Sequence, residues 1–135
     1  MPKGTPARIL VAEDDPAVRQ FVVRALTHVG YEVEAVEDGL RALEVLAERS
    51  FDLLISDIVM PGLDGIALAL KVAKDWPKLV VMLMTGYAHE RQRAHNIEEL
   101  SHAVLAKPFT LDDIAAAVAR ALEPARAPAQ YPQPN

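Results

Sequence analysis

The chain has 135 residues, of which 51% are hydrophobic and 24% charged, a size that accommodates one domain with a single core. Its 14 basic and 19 acidic side chains give a formal net charge of −5, which does not attract nucleic acid, and the lack of cysteine excludes disulfides and thiolate chemistry. Its apolar runs fall far short of the ~20 residues of a membrane span and no signal peptide is evident, so we expect a cytoplasmic protein without membrane contact.

Both ends of the chain have the composition of tails. Residues 1–6 contain two prolines and a glycine, and residues 124–135 contain four of the ten prolines. Such segments bury too little apolar area to offset the entropy lost on ordering. We therefore predict an N-terminal tail over residues 1–6, a folded domain over residues 7–123, and a proline-rich, disordered tail over residues 124–135.

Five short runs rich in aliphatic residues alternate with longer segments of helical periodicity. Three of the runs are continuously apolar, which is typical of strands buried on both faces of a sheet. The predicted strands are Arg8–Val11, Glu32–Val36, Leu53–Ser56, Val80–Met84 and Ala103–Ala106.

The segments between and after these runs indicate five helices. The first has an apolar stripe from Val18 to Val29 and ends at Gly30, a residue suited to a helix C-terminus. The others are expected over residues 39–49, after Gly65 to about Asp75, near residues 89–98, and around Ile114–Leu122. This alternation predicts a single-domain α/β fold, with a five-stranded parallel sheet and helices on both faces.

Polar side chains follow four of the predicted strands at their carboxyl ends, where ligands bind in parallel α/β sheets. If the fold is correct, these side chains lie along one edge of the sheet although they are spread over about ninety residues of sequence. They are Glu13-Asp14-Asp15, Asp57, Thr85-Gly86 and Lys107-Pro108.

The acidic residues after the first strand have two interpretations. Asp14 or Asp15, just before Pro16, could simply cap a helix that begins with proline. Capping does not explain Asp57, which lies between apolar residues. Two like charges about 4 Å apart repel by about 4 kcal/mol at an effective dielectric near 20, so a cation should join the cluster. Oxygen ligands favour Mg²⁺, which with Lys107 balances Asp14, Asp15 and Asp57.

A divalent metal beside carboxylates, a lysine and a hydroxyl is typical of phosphoryl transfer. Asp57 is the expected nucleophile and would form an acyl phosphate. Phosphorylation brings this group to about −2, and the added negative charge needs a further donor. We expect Lys107 and the Thr85 hydroxyl to complete the catalytic set.

The chain resembles the receiver domains of two-component response regulators over residues 8–123. The resemblance implies a flavodoxin-like fold, Mg²⁺ bound by Asp14, Asp15, Asp57 and the Val59 carbonyl, and phosphorylation of Asp57 by a sensor histidine kinase or a histidine phosphotransfer protein. It also implies that Lys107 contacts the phosphoryl group and precedes a cis peptide bond to Pro108. The segments that carry it are Ile9–Asp15, Asp57–Gly65 with its D-x-x-M-P-x-x-D-G pattern, Met84-Thr85-Gly86 and Lys107-Pro108-Phe109.

One position departs from the family pattern. Receivers of this kind usually carry an aromatic residue three positions before the lysine, whereas this chain has Val104. Tyr87, two residues after Thr85, is a candidate substitute, although it could equally be a surface tyrosine. We therefore expect the switch and output positions to be Thr85, Tyr87, Val104 and Pro108.

The motifs resemble most closely the stand-alone receivers of the CpdR type. This resemblance implies a protein-binding output, with ClpX of the ClpXP protease as the candidate target, and no enzymatic activity beyond the domain's own phosphorylation and dephosphorylation. A phosphorelay intermediate is the alternative. A haloacid-dehalogenase-type phosphatase is disfavoured because Val59 replaces the acid that this class carries. Val59 and Tyr87 also cannot position a hydrolytic water, so slow self-dephosphorylation is expected.

Overall fold

A computed structural model of the chain describes residues 5–86 and 103–123. Within these residues, five strands alternate with four helices. The strands are β1 (Arg8–Ala12), β2 (Glu32–Val36), β3 (Leu53–Asp57), β4 (Val80–Thr85) and β5 (Ala103–Ala106). The helices are α1 (Pro16–Val29), α2 (Gly39–Glu48), α3 (Gly65–Asp75) and α4 (Leu111–Leu122).

The five strands form one parallel sheet in the order β2-β1-β3-β4-β5. In the sheet, β2 lies on one side of β1, whereas β3, β4 and β5 follow one another on the other side of β1. The helices that follow β1 and β3 therefore cover opposite faces of the sheet, and a crevice opens between the carboxyl ends of these two strands.

The core has two layers because side chains of successive strand residues point to opposite faces. Leu10 and Leu54 pack with α2 and α3, whereas Ile9 and Ile55 pack with α1 and α4. All four side chains are fully buried. This double burial explains why the central strands are continuously apolar in sequence.

Local signals set the helix ends. Asp15 precedes Pro16, and its carboxylate accepts a hydrogen bond from the Ala17 backbone N–H at 2.9 Å. Gly30 ends α1 with a φ of 119°, a left-handed conformation that favours glycine. Helix α4 begins with a capping box between Thr110 and Asp113.

The predicted fold class is confirmed, and three strands extend one residue further at the carboxyl edge than predicted. Ala12, Asp57 and Thr85 remain in register with neighbouring strands, so the strand ends include residues of the predicted site. The helix predicted near residues 89–98 lies outside the described residues, and the division into domain and tails stays a prediction. In the described part of the chain, no helix is long and apolar enough to cross a membrane.

Candidate functional site

Asp57 is the last residue of β3 and is only 6% exposed. The backbone pairing with β4 continues one residue further, because the Ile58 backbone N–H donates to the Met84 carbonyl at 3.1 Å. Ile58 itself is fully buried. The buried strand before Asp57 and the paired, buried Ile58 after it thus hold Asp57 at the carboxyl edge of the sheet.

Glu13 lies beside Asp57, although the sequence predictions did not give it a role. Its backbone N–H donates to the Val36 carbonyl at 3.1 Å, so it continues the pairing between β1 and β2. The side chain is buried, and its carboxylate accepts a hydrogen bond from the Asp15 N–H at 3.0 Å. Burial raises the pKa of Glu13 and the charge of Asp57 raises it further, while Asp15 and Lys107 oppose this shift.

Lys107 contacts both buried carboxylates. Its Nζ lies 3.0 Å from Oδ1 of Asp57 and 3.2 Å from Oε1 of Glu13. Burial lowers the pKa of Lys107, but the hydrogen bonds and charges of the two carboxylates outweigh burial, so the net shift is upward. The lysine therefore carries its positive charge into the cluster.

The backbone around Lys107 is fixed as well. The Lys107 N–H donates to the Thr85 carbonyl at 2.7 Å, which ties the ends of β4 and β5 together. The peptide bond between Lys107 and Pro108 is cis, as the family resemblance implied.

Three carboxylates at this edge could hold a metal ion. Ligand oxygens of Glu13, Asp14 and Asp57 all lie within 4.8 Å of one another. Ionised, they carry a charge of −3, of which Lys107 neutralises one unit. The remaining charge of −2 and the all-oxygen ligand set match a divalent cation such as Mg²⁺.

Asp15, a predicted metal ligand, has the helix-capping role that was the alternative interpretation for it. Its Oδ1 caps α1 by accepting hydrogen bonds from the N–H groups of Ala17 and Val18, at 2.9 and 3.5 Å. The cluster contains Glu13 in its place because β1 extends to Ala12, and the chain has already turned into the helix at Asp15. Metal binding by Asp15 stays a prediction, and the geometry favours Glu13.

The other predicted site residues differ in burial and in the neighbours against which they pack. Thr85 ends β4 fully buried, one residue beyond Met84, the strand partner of Asp57. Val59 is 54% exposed at the margin of the site. Val104 pairs with Leu83 and packs against the core on the side of α2 and α3. Tyr87 lies outside the described residues.

Two local hydrogen bonds fix the segment between β3 and α3. Asp64 caps α3 by accepting a hydrogen bond from the Ala67 N–H at 2.8 Å. Gly65, the first residue of α3, donates its N–H to the Ile58 carbonyl at 2.8 Å. A Cβ atom on Gly65 would lie 2.2 Å from the Asp57 carbonyl oxygen, so only glycine permits this approach.

The carboxylates line a cleft of about 770 Å³. Asp14, Asp57 and Lys107 are among its polar lining residues. Val59 lines it too, as do Ala17, Val18, Phe21, Pro108 and Phe109. The cleft is accessible from solvent.

Comparison with known proteins agrees with this geometry. The sequence model of the response regulator receiver domain matches residues 9–119. The response regulator receiver protein CpdR of Brucella abortus (strain 2308) is 43% identical over 107 residues, which are 79% of this chain and 89% of that protein. The DNA-binding transcriptional regulator NtrC of Escherichia coli (strain K12) is 35% identical over 114 residues, or 84% of this chain and 24% of NtrC.

Solved structures show the same fold. A response regulator receiver domain protein from Clostridium thermocellum superposes with a TM-score of 0.81 at 27% identity, covering 89% of this chain and 97% of its own. The response regulator TrrA of Thermotoga maritima, solved in complex with Mg²⁺-BeF, has a TM-score of 0.79 at 31% identity, covering 86% of this chain and 99% of TrrA.

Proposed function

Because the chain belongs to the family of response regulator receiver domains, we propose that it is a phosphorylation switch whose acceptor is Asp57. The phosphoryl donor is a phosphohistidine of a sensor histidine kinase or of a histidine phosphotransfer protein. The reaction depends on Mg²⁺, and its product changes which protein the domain binds.

The observation that carries this proposal is the contact of Lys107 with Asp57 at 3.0 Å, inside a cluster of three carboxylates. A structural salt bridge needs one acid and one base. Here two further acids are placed against the pair, at a cost in repulsion that folding alone does not repay. The excess of negative charge suits a divalent cation. With that cation bound, the cation and Lys107 together suit a phosphoryl group.

The chemistry assigns each residue one task. An oxygen of the Asp57 carboxylate attacks phosphorus, and the bond from phosphorus to the donor imidazole nitrogen breaks. That nitrogen keeps the electron pair and then takes up a proton. Lys107 stays beside the acceptor oxygen and offsets the charge that accumulates there, and the Thr85 hydroxyl is the candidate donor to the added negative oxygens.

Glu13, Asp14 and Asp57, with the Val59 carbonyl that the family resemblance implies, would hold Mg²⁺. When bound, Mg²⁺ neutralises the phosphoryl oxygens and lowers the barrier to attack. The fit rests on the spacing and net charge of the three carboxylates. The Mg²⁺-BeF complex of the related TrrA supports this choice of ligand.

The phosphorylated state should persist. Val59 is aliphatic and exposed at the margin of the site, and Tyr87 is the residue two positions after Thr85 in sequence. Neither side chain can orient a water molecule for attack as a carboxylate or amide can. We expect slow self-dephosphorylation, and a phosphoaspartate lifetime of only seconds in the isolated protein would contradict this expectation.

The output is a change in protein binding, transmitted through Thr85, Val104, Pro108 and Tyr87. The similarity in sequence and length to CpdR supports an adaptor role toward the ClpXP protease, with ClpX as the contact. The second candidate function, supported by the open cleft around Asp57, is a phosphorelay intermediate that returns the phosphoryl group to another histidine protein.

One experiment tests the switch. The wild type and an Asp57→Ala variant are incubated with a phosphorylated histidine donor, with and without Mg²⁺, and then used to capture ClpX. Asp52→Ala, at the opposite end of β3, is the matched control. The phosphoryl group of the donor carries a label. Transfer of this label to the wild type and to Asp52→Ala, but not to Asp57→Ala, and only with Mg²⁺, supports the proposal. Transfer of the label to Asp57→Ala refutes it.

The capture step decides the output. Binding of ClpX that changes with phosphorylation supports the adaptor role, whereas equal binding of both forms contradicts it. Transfer of label from the wild type to a second, unphosphorylated histidine phosphotransfer protein favours the phosphorelay.

A further inference from the structure

The loop between β1 and α1 carries two of the three clustered carboxylates, and it is held by short-range hydrogen bonds. The Asp15 N–H donates to the Glu13 carboxylate at 3.0 Å, and the Arg19 N–H donates to the Asp15 carbonyl at 2.9 Å. Asp14 lies between the two anchored residues, exposed to solvent, with its carboxylate in the cluster. Its place is therefore set by its neighbours' backbone.

Arg19 supplies a further anchor, which the proposed chemistry does not use. From the second turn of α1 it reaches back, and its Nη1 donates to the Glu13 carbonyl at 2.8 Å. Arg19 and this hydrogen bond are partly buried. A charged donor makes a stronger hydrogen bond than a neutral one, so this contact is a firm link between helix and loop.

The contact fixes more than one atom. The carbonyl of Glu13 and the N–H of Asp14 belong to one planar trans peptide and point in opposite directions. By holding that carbonyl toward α1, Arg19 sets the rotation of the peptide plane. Because the Asp15 N–H on the other side is also anchored, that rotation restricts the direction in which the Cα–Cβ bond of Asp14 leaves the chain.

We infer that Arg19 is a positioning residue for the metal site: it acts through the Glu13 carbonyl to hold Asp14 where its carboxylate can bind the cation. This inference rests on the proposed function, because it takes Glu13, Asp14 and Asp57 as the ligand set. Partners that orient metal ligands from behind typically contribute about ten- to hundredfold in metal affinity.

The sign of the effect separates positioning from charge. Arg19 is a cation close to a cation site, so its charge alone opposes Mg²⁺ binding. If charge dominated, removing the guanidinium would tighten binding. If positioning dominates, the same change weakens it.

The experiment titrates Mg²⁺ into the full unphosphorylated chain and measures affinity by calorimetry. We expect Arg19→Met to bind Mg²⁺ about tenfold more weakly than the wild type, the low end of the range for such partners. Arg19→Lys, which keeps a charged donor, should recover part of the loss. Arg24→Met removes the same charge from an exposed position of α1 and should change the affinity by less than about twofold.

A rate measurement excludes a general structural effect. With a phosphohistidine donor, Arg19→Met should need more Mg²⁺ to reach half its maximal rate, while the rate at saturating Mg²⁺ returns to that of the wild type. Affinity that is unchanged or tighter in Arg19→Met, or equally weakened in Arg24→Met, overturns the inference. If Arg19→Met does not fold, Arg19→Gln and Arg24→Gln are compared by the same criteria.

The outcomes distinguish this inference from the proposed function. A wild type that does not bind Mg²⁺ overturns both. A wild type that binds Mg²⁺ and accepts the phosphoryl group, with an Arg19→Met variant of equal affinity, overturns the role of Arg19 alone.

Discussion

The two ends of the sheet differ in how their charged side chains are arranged. At the amino end, the Arg8 N–H donates to the Asp52 carboxylate at 2.8 Å. The Arg8 guanidinium lies 3.6 Å from Glu32 and 5.1 Å from the ring centroid of Phe51. At the carboxyl end of the same sheet, the acids are clustered with one another around Lys107.

The difference separates paired charges, which contribute to the fold, from the clustered charges that we propose take part in the reaction. The amino-end groups face opposite charges and retain access to solvent, so each contributes little and costs little. At the carboxyl end, two of the acids are buried and all three repel one another. We interpret this end as strained in the absence of a bound cation, and the following predictions test that contrast.

The largest effect is expected from Gly65→Ala. The new Cβ would meet the Asp57 carbonyl oxygen at 2.2 Å, so the acceptor strand or α3 must move. We expect a loss of about 3 kcal/mol in the free energy of unfolding, the upper range for overpacking, and a large fall in phosphorylation rate.

Gly86→Ala is the control for Gly65→Ala, because the nearest atom to its Cβ would be Cδ of Lys107 at 4.0 Å. Urea denaturation of both variants measures the difference. A Gly65→Ala variant as stable as Gly86→Ala would show that the carboxyl end adapts more easily than its packing indicates.

Lys107→Met should cost about 2 kcal/mol in EDTA, less than a fully buried pair because the lysine is 23% exposed. It leaves Glu13 and Asp57 buried without the cation that contacts both. Added Mg²⁺ should restore much of the stability. Lys71→Met, which breaks the exposed pair with Asp75, should change stability far less in the same thermal denaturation.

Asp57→Asn and Asp52→Asn remove the same charge from the two ends of β3 and should act with opposite signs. In EDTA, we expect Asp57→Asn to raise the free energy of unfolding by about 1 kcal/mol, because it relieves repulsion while Lys107 keeps its contact with Glu13. Asp52→Asn should slightly lower it. If Asp57→Asn is less stable in EDTA, the carboxyl end is not strained as we describe.

The smallest effect is a dependence of stability on pH, which comes from the partly exposed pair of Arg49 and Glu34. The Nε of Arg49 lies 3.0 Å from Oε1 of Glu34. The hydrogen bond from Arg49 lowers the pKa of Glu34 below its ordinary value of 4.5. The stability that this pair adds is present above that value and is lost as the pH falls through the lowered pKa of the folded state.

A comparison of the wild type with Glu34→Gln checks this prediction. The wild type should be slightly more stable at neutral pH, and the difference should vanish in acid, below the folded-state pKa. A difference that does not change with pH would mean that the ion pair does not contribute.

Much of the architecture follows from local features of the sequence. The bounds of β2 and β5 match the predictions, and α3 begins at Gly65, the residue that the predicted helix was to follow. The positions of Asp57 and Lys107 also follow, since each comes directly after a run that indicates a strand. In these places the local pattern and the tertiary contacts favour the same conformation.

The acidic loop shows what the local sequence pattern leaves open. In sequence, Glu13, Asp14 and Asp15 are three adjacent acids before a proline, and the two nearest the proline were taken as ligands. The structure pairs the Glu13 N–H with Val36 and turns Asp15 into the cap of α1. Which acid faces the cluster depends on how far the pairing of β1 with β2 extends, and β2 lies about twenty residues away in sequence.

The sequence by itself determined the alternation of strands and helices and the position of Asp57 at the carboxyl edge of the sheet. These depend on periodicity and on the order of residues along the chain. Only the tertiary structure decided that Glu13 joins Asp14 and Asp57, that Lys107 bridges two carboxylates, and that the Arg19 side chain donates to the Glu13 carbonyl. Such contacts join distant segments, and distances between them follow from packing and strand register rather than from any local pattern.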